Sequence, residues 1–144
     1  MPEVLERRFI AELVRFASEL GYEVAISRDG IDDPIGHPAV TMHDLHRIHL
    51  CCRGDLDYFQ MLVHELGHVL LHGERSTREE MSQADREAEA NAVARLVLDA
   101  LADDPHLAGL RDYIAPVLQP SDRVVVAARA ISARLPSGRW HELD

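Results

Sequence analysis

Asp57-Tyr58-Phe59-Gln60-Met61-Leu62-Val63-His64-Glu65-Leu66-Gly67-His68-Val69-Leu70-Leu71-His72-Gly73 is the stretch from which the rest of the chain is read. Asp57 can cap a helix, with Gln60 three residues on completing a capping-box pattern and Leu56 and Met61 at the staple positions. Leu62, Val63, Leu66, Val69 and Leu70 recur at helical spacing, and Gly73 is a natural stop. On such a helix His64 and His68 stand one turn apart on one face, so both imidazoles can reach a common metal ion. Glu65 borders that face. Gly67 lies between the two histidines, although Gly in a helix interior costs about 0.5–1 kcal/mol relative to Ala. Close approach by a neighbouring strand or a substrate would account for it.

This is the HExxH arrangement of zinc hydrolases, in which zinc acidifies and orients a water and the carboxylate takes its proton. A catalytic zinc also needs a third protein ligand and an open position. Downstream, residues 74–81 are polar and read as surface loop. Ser82 then caps a second helix, with Asp85 in its first turn and Ala88, Ala92, Val93, Leu96, Val97 and Ala100 as its apolar side. Two antiparallel helices would bring Glu87 opposite His64 and His68, with Asn91 on the Glu87 face as a supporting group. Glu89 points about 160° away round the helix and is expected to face solvent. Helix geometry alone leaves Glu87 and Glu89 both open as third ligand; Glu87 is preferred.

Upstream, Val4, Leu5, Phe9, Leu13, Phe16, Ala17 and Leu20 predict a helix stopped at Gly21. Tyr22–Ile26 alternates as a short strand, residues 28–38 are a turn-rich connection, and a second strand is expected around Arg47–Cys51, closed by Gly54. Beyond Asp103-Asp104-Pro105, helices are expected over His106–Leu118 and Arg123–Leu135, and Pro136-Ser137-Gly138 reads as loosely held. With no internal repeat and no dividing linker, the reading is one α+β domain over residues 1–144.

The 144 residues are 47% hydrophobic, 28% charged and carry a formal charge of −10, from 15 basic and 25 acidic residues. That balance repels a phosphate backbone, and the basic residues, all Arg, form no concentrated face, so direct nucleic-acid binding is not expected. No apolar run approaches the roughly 20 residues that cross a bilayer, and Met1–Glu6 does not resemble a secretory leader. Cys51-Cys52 reads as two reduced thiols in a cytoplasmic protein.

His64-Glu65-Leu66-Gly67-His68-Val69-Leu70-Leu71-His72, followed by Arg86-Glu87-Ala88-Glu89-Ala90-Asn91-Ala92-Val93-Ala94, resembles the ImmA/IrrE-type metallopeptidase domain, with a flavour of the related antirestriction-protein peptidase domains. The likeness is strongest over residues 20–100. It implies a small gluzincin-like zincin fold, with a short sheet packed beside the active-site helix. It also implies Zn2+ held by His64, His68 and Glu87, and Glu65 as catalytic base. The expected activity is that of a zinc endopeptidase with a narrow protein substrate, in this family often a helix-turn-helix regulator or repressor. Two departures stand out: Leu96-Val97-Leu98-Asp99 replaces the family's Leu-Met-Pro-like ending, and no DNA-binding module is recognisable.

The alternatives are a non-proteolytic zinc-containing module that binds a transcriptional regulator, and a small-molecule amidase. Tyr58, Tyr113 and His72 are each candidates for the oxyanion donor. His72 could equally be a supporting group, a substrate contact or an alternative ligand. His37, His43, His46 and His49 form a looser group, read as a surface face near the cleft rather than a second metal site.

Overall fold

A computed structural model describes residues 2–27, 39–51, 55–101 and 114–135. Within them the chain is mixed α+β. Helix α1 (Pro2–Glu19) leads into β1 (Glu23–Ser27), then β2 (Ala39–Met42), a 3-10 turn (His43–Leu45) and β3 (Arg47–Cys51). Helix α2 (Asp55–His72) is followed by a short α3 (Arg75–Glu80), by α4 (Gln83–Ala100) and by α5 (Asp122–Ser132).

The sheet order is β1-β3-β2, with β1 parallel and β2 antiparallel to β3. Ile48 of β3 pairs Val24 on one side and Thr41 on the other, and Ile48 and Leu50 are wholly buried. Gly21, at φ +87°, makes the left-handed turn from α1 into β1, a conformation available to Gly without the Cβ penalty. Helix α2 is the hub, packing against α1, the sheet, α4 and α5. Its Phe59, Leu62, Val63 and Leu66 are fully buried, together with Phe9 and Leu13 of α1, and the Phe9 and Phe59 rings meet at 5.9 Å. Burial of each such side chain contributes roughly 1.5–3 kcal/mol, which fixes the α2 axis and thereby the direction of its histidine face.

Several expectations need correction. Helix α2 begins at Asp55, so Asp57 lies inside the first turn and is not its N-cap. Residues 75–80 form helix α3 rather than loop; none of its residues is buried, so the apolar pattern gave no sign of it. Strand β2 was unanticipated, because four residues are too few for a clear alternation. Residues 114–120 are irregular, not the end of a helix, while 106–113, including Tyr113, lie outside the described residues. So do residues 28–38, Cys52, Gly54 and residues 136–138. The Ser82 cap stands as expected: its hydroxyl accepts from the Asp85 N–H at 3.1 Å. Ser121 caps α5 in the same way through Val124 N–H.

Candidate metal centre

His64 and His68 project from the same side of α2, their ring centroids 4.9 Å apart and their Nε2 atoms 3.2 Å apart. Helix α4 supplies the third group: Glu87 places Oε2 3.0 Å from His64 Nε2 and Oε1 3.1 Å from His68 Nε2. Donors held at ordinary zinc bond lengths around a tetrahedral ion stand about 3.3 Å from one another. The observed spacings agree within a few tenths of an ångström, and two imidazoles with one carboxylate are a donor set that suits zinc. His64, Glu65 and His68 alone also bring their donor atoms within 4.8 Å of one another.

Gly67 explains how α4 comes close enough. A Cβ there would stand 3.3 Å from Val93 Cβ and 3.4 Å from Ala90 Cα, so α4 lies directly on the glycine. The inward face of α4 is Ala90, Val93, Ala94, Val97 and Leu98. The expected face is therefore rotated: Ala88 and Ala100 are exposed, and Ala92 and Leu96 are half-buried. The corrected face runs between Glu87 and Glu89, and one carboxylate flanks each side of it. Glu87 reaches His64 and His68. Glu89, expected in solvent, is only 19% exposed and places Oε1 2.8 Å from His72 Nε2.

Glu65 is 4% exposed. The Thr41 hydroxyl of β2 donates to its Oε1 at 2.8 Å, and its Oε2 lies 3.7 Å from His64 Nε2. Burial raises the carboxyl's pKa above its usual range, opposed by the neighbouring His64 and by the Thr41 hydrogen bond. Burial pushes His68 down to about 4, with the positive potential of His64 adding to the effect, so the imidazole is neutral at pH 7. A neutral imidazole is the form that binds metal.

The chain matches no family model, no curated protein and no solved structure. The site's geometry therefore carries the functional reading.

Above the histidines lies an open cleft of about 670 Å³, whose walls include Thr41 and Val40 of β2, Met61, Ile114, Arg78 and Arg86. Of the three oxyanion-donor candidates, Tyr58 is buried in the core, Tyr113 is outside the described residues, and His72 is fully buried away from the cleft. His72 instead sets its Nδ1 3.1 Å from His68 Nδ1. His43, which sequence reasoning placed only in a loose group, does line the cleft, with the Tyr22 hydroxyl 2.9 Å from its Nδ1. His46 stacks on the Tyr22 ring at 5.0 Å and His49 carries a buried Nε2 with no partner among the described residues, so these histidines serve different places. His37 lies outside the described residues. Thr41 was also missed, since a lone Thr in an unrecognised strand gives no signal. Among the described residues no helix is long and apolar enough to cross a membrane.

Proposed function

We propose that this chain is a zinc-dependent endopeptidase of the ImmA/IrrE type, with a gluzincin-like fold. In this reading it acts in the cytoplasm on a narrow protein substrate such as a helix-turn-helix regulator. The observation that carries the reading is the convergence of His64 Nε2, His68 Nε2 and the Glu87 carboxylate within 3.0–3.2 Å, at an open cleft and beside a buried Glu65. When bound, zinc supplies Lewis-acid chemistry, lowering the pKa of water and polarising an amide carbonyl.

The chain's own part of the reaction falls to Glu65. Thr41 holds Oε1, leaving Oε2 to accept a proton from the attacking water and then to deliver it to the departing amine nitrogen. Burial favours this role, because a carboxylate whose neutral form is stabilised takes up a proton more readily. A polypeptide substrate is favoured over a small amide by strand β2. It is the edge of the described sheet and lines the cleft, so an extended peptide can pair along it while its scissile bond lies over the histidines. The retained Glu65 favours an enzyme over a binding module, since holding the ion does not require that carboxylate.

The test combines metal analysis with a substitution. About one zinc per chain is expected in protein purified without chelator, lost in His68→Ala and kept in Glu65→Gln. Cleavage of a protein or peptide library, read by mass spectrometry, is expected to vanish in Glu65→Gln. A chain that binds no zinc, or a Glu65→Gln variant with undiminished cleavage, would overturn the reading.

A further inference from the structure

The two ends of the cleft differ in chemistry. Met61, one turn before His64 on α2, and Ile114, whose carbonyl oxygen accepts from Arg95 of α4, give one end an apolar lining. Arg78 and Arg86 line the other, beside the last turn of α2. Arg78 Nη1 donates to the His72 and Gly73 carbonyl oxygens at 3.0 and 2.8 Å, and Arg86 Nη1 donates to the Arg78 carbonyl oxygen at 2.8 Å. These bonds lace the end of α2, helix α3 and the start of α4 together and hold both guanidinium groups in place. Each uses one nitrogen. A guanidinium carries five N–H donors in a planar fork, so donors remain on both.

What the pair lacks is a close counter-ion. The other half-buried arginines are matched: Arg95 pairs with Asp99 at 3.0 Å and Arg134 with Glu19. Arg86, also half-buried, forms no ion pair among the described residues. Arg78 has only Asp44, 3.7 Å away on a carboxylate that is 96% exposed. The cleft's own carboxylates are engaged elsewhere, Glu87 with His64 and His68 and Glu65 with Thr41. In a chain of formal charge −10, acidic groups are plentiful, yet none is set against this pair at close range. A cation drawn part-way out of water without a partner carries a free-energy cost that an incoming anion offsets.

We propose that Arg78 and Arg86 form a subsite for a carboxylate of the peptide, an acidic side chain or a free C-terminus, at the end of the cleft beside the last turn of α2. The proposal rests on the peptidase reading for the identity of the ligand as substrate. It deepens that reading by making the cleft select for charge, with an acidic residue on one side of the scissile bond and an apolar residue favoured on the other. Capture of the carboxylate itself needs only the two guanidinium groups.

Two measurements test it. The first is cleavage of peptides in which Glu, Gln or Lys is placed at each position in turn, with free and with amidated C-termini, read by mass spectrometry. Glu at one fixed position on one side of the cut is expected to raise kcat/KM about tenfold over Gln, and the ratio is expected to fall toward one in Arg86→Gln and to turn in favour of Lys in Arg86→Glu. A preference that survives amidation assigns the subsite to a side chain; one that amidation abolishes assigns it to the chain end. Both uphold the subsite. The second measurement is fluorescence anisotropy of the same labelled peptides on the metal-free chain, where the Glu peptide is expected to bind about tenfold more tightly than its Gln counterpart in the native protein and equally in Arg86→Gln. Arg86→Gln keeps an N–H donor for the Arg78 carbonyl oxygen, and circular dichroism confirms its fold; the Glu, Gln and Lys comparison on the native chain stands if the variant does not fold. Equal handling of Glu, Gln and Lys peptides by the native chain overturns the proposal, as does a Glu preference undiminished in folded Arg86→Gln. A chain that cleaves no peptide overturns the peptidase reading instead, and the anisotropy then decides the subsite alone.

Discussion

Replacing Gly67 with Ala tests the packing that brings Glu87 to the histidines. In an unobstructed helix the change would stabilise by about 0.5–1 kcal/mol, because Gly loses more backbone freedom on folding. Here the new methyl would stand 3.3 Å from Val93 Cβ, 3.4 Å from Ala90 Cα and 3.5 Å from Val93 Cγ1, against ordinary carbon contacts of about 3.5–4.0 Å. Ala90 Cα is backbone, so relief requires α4 to move by a few tenths of an ångström rather than a side chain to rotate. Overpacking of this kind costs about 1–3 kcal/mol. The difference is a net loss of about 0–2.5 kcal/mol, readable as a lower urea midpoint with an unchanged slope. The larger consequence falls on the site. Glu87 lies one turn before Ala90 on the same helix, and its 3.0 and 3.1 Å spacings to His64 and His68 open as α4 retreats. Zinc affinity is expected to drop on the order of tenfold, more than the stability change alone implies. Gly67→Val, with two further methyls, should exaggerate both effects. A Gly67→Val chain of native stability and native zinc affinity would refute the contact and with it the explanation of this glycine.

Three further outcomes are expected. Ser82→Ala removes the acceptor for the Asp85 N–H at the start of α4 and should cost about 1 kcal/mol in urea unfolding; no loss would mean that solvent caps α4 equally well. Thr41→Val keeps shape but deprives the buried Glu65 of its 2.8 Å hydrogen bond. It should destabilise the metal-free chain by roughly 1.5–3 kcal/mol near neutral pH, and a change below a few tenths would show that bond to be idle. For His43, burial first and the Arg78 charge second push the pKa from 6.5 to about 4, so between those values the unfolded chain binds the proton that the folded chain refuses. Its contribution to stability is complete above pH 6.5 and is lost as pH falls toward 4. His43→Gln should therefore flatten the rise of metal-free stability with pH across that window, and an unchanged profile would contradict the assignment.

Much of the site was legible because its spacing is a local property of one helix. His64, Glu65 and His68 need only helical geometry to share a face, and Gly67 announces itself by its cost. The α1, α2, α4 and α5 helices follow from apolar periodicity and from Ser82, whose cap forms as the sequence implies. What could not be read was the rotation of α4. Its alanines at 84, 88, 90, 92, 94 and 100 lie on several faces, so the apolar pattern has weak direction, and only contact with Gly67 selects Ala90 and Val93 as the inward pair. The same rotation decides the fate of both glutamates. Carboxylates two residues apart on a free helix suggest one inside and one outside. A helix whose buried stripe passes between them puts both to use, Glu87 at the cleft and Glu89 behind it at His72. Arg123 was beyond reach for a related reason: its bond to the Leu71 carbonyl spans 52 positions, and no local pattern marks an arginine at the start of α5 as a partner for the end of α2. The stripe His64, His68, His72 advances about 40° round α2 at each step. Its first two members therefore open toward the cleft while the third turns inward, and a metal-competent face becomes continuous with a buried polar chain.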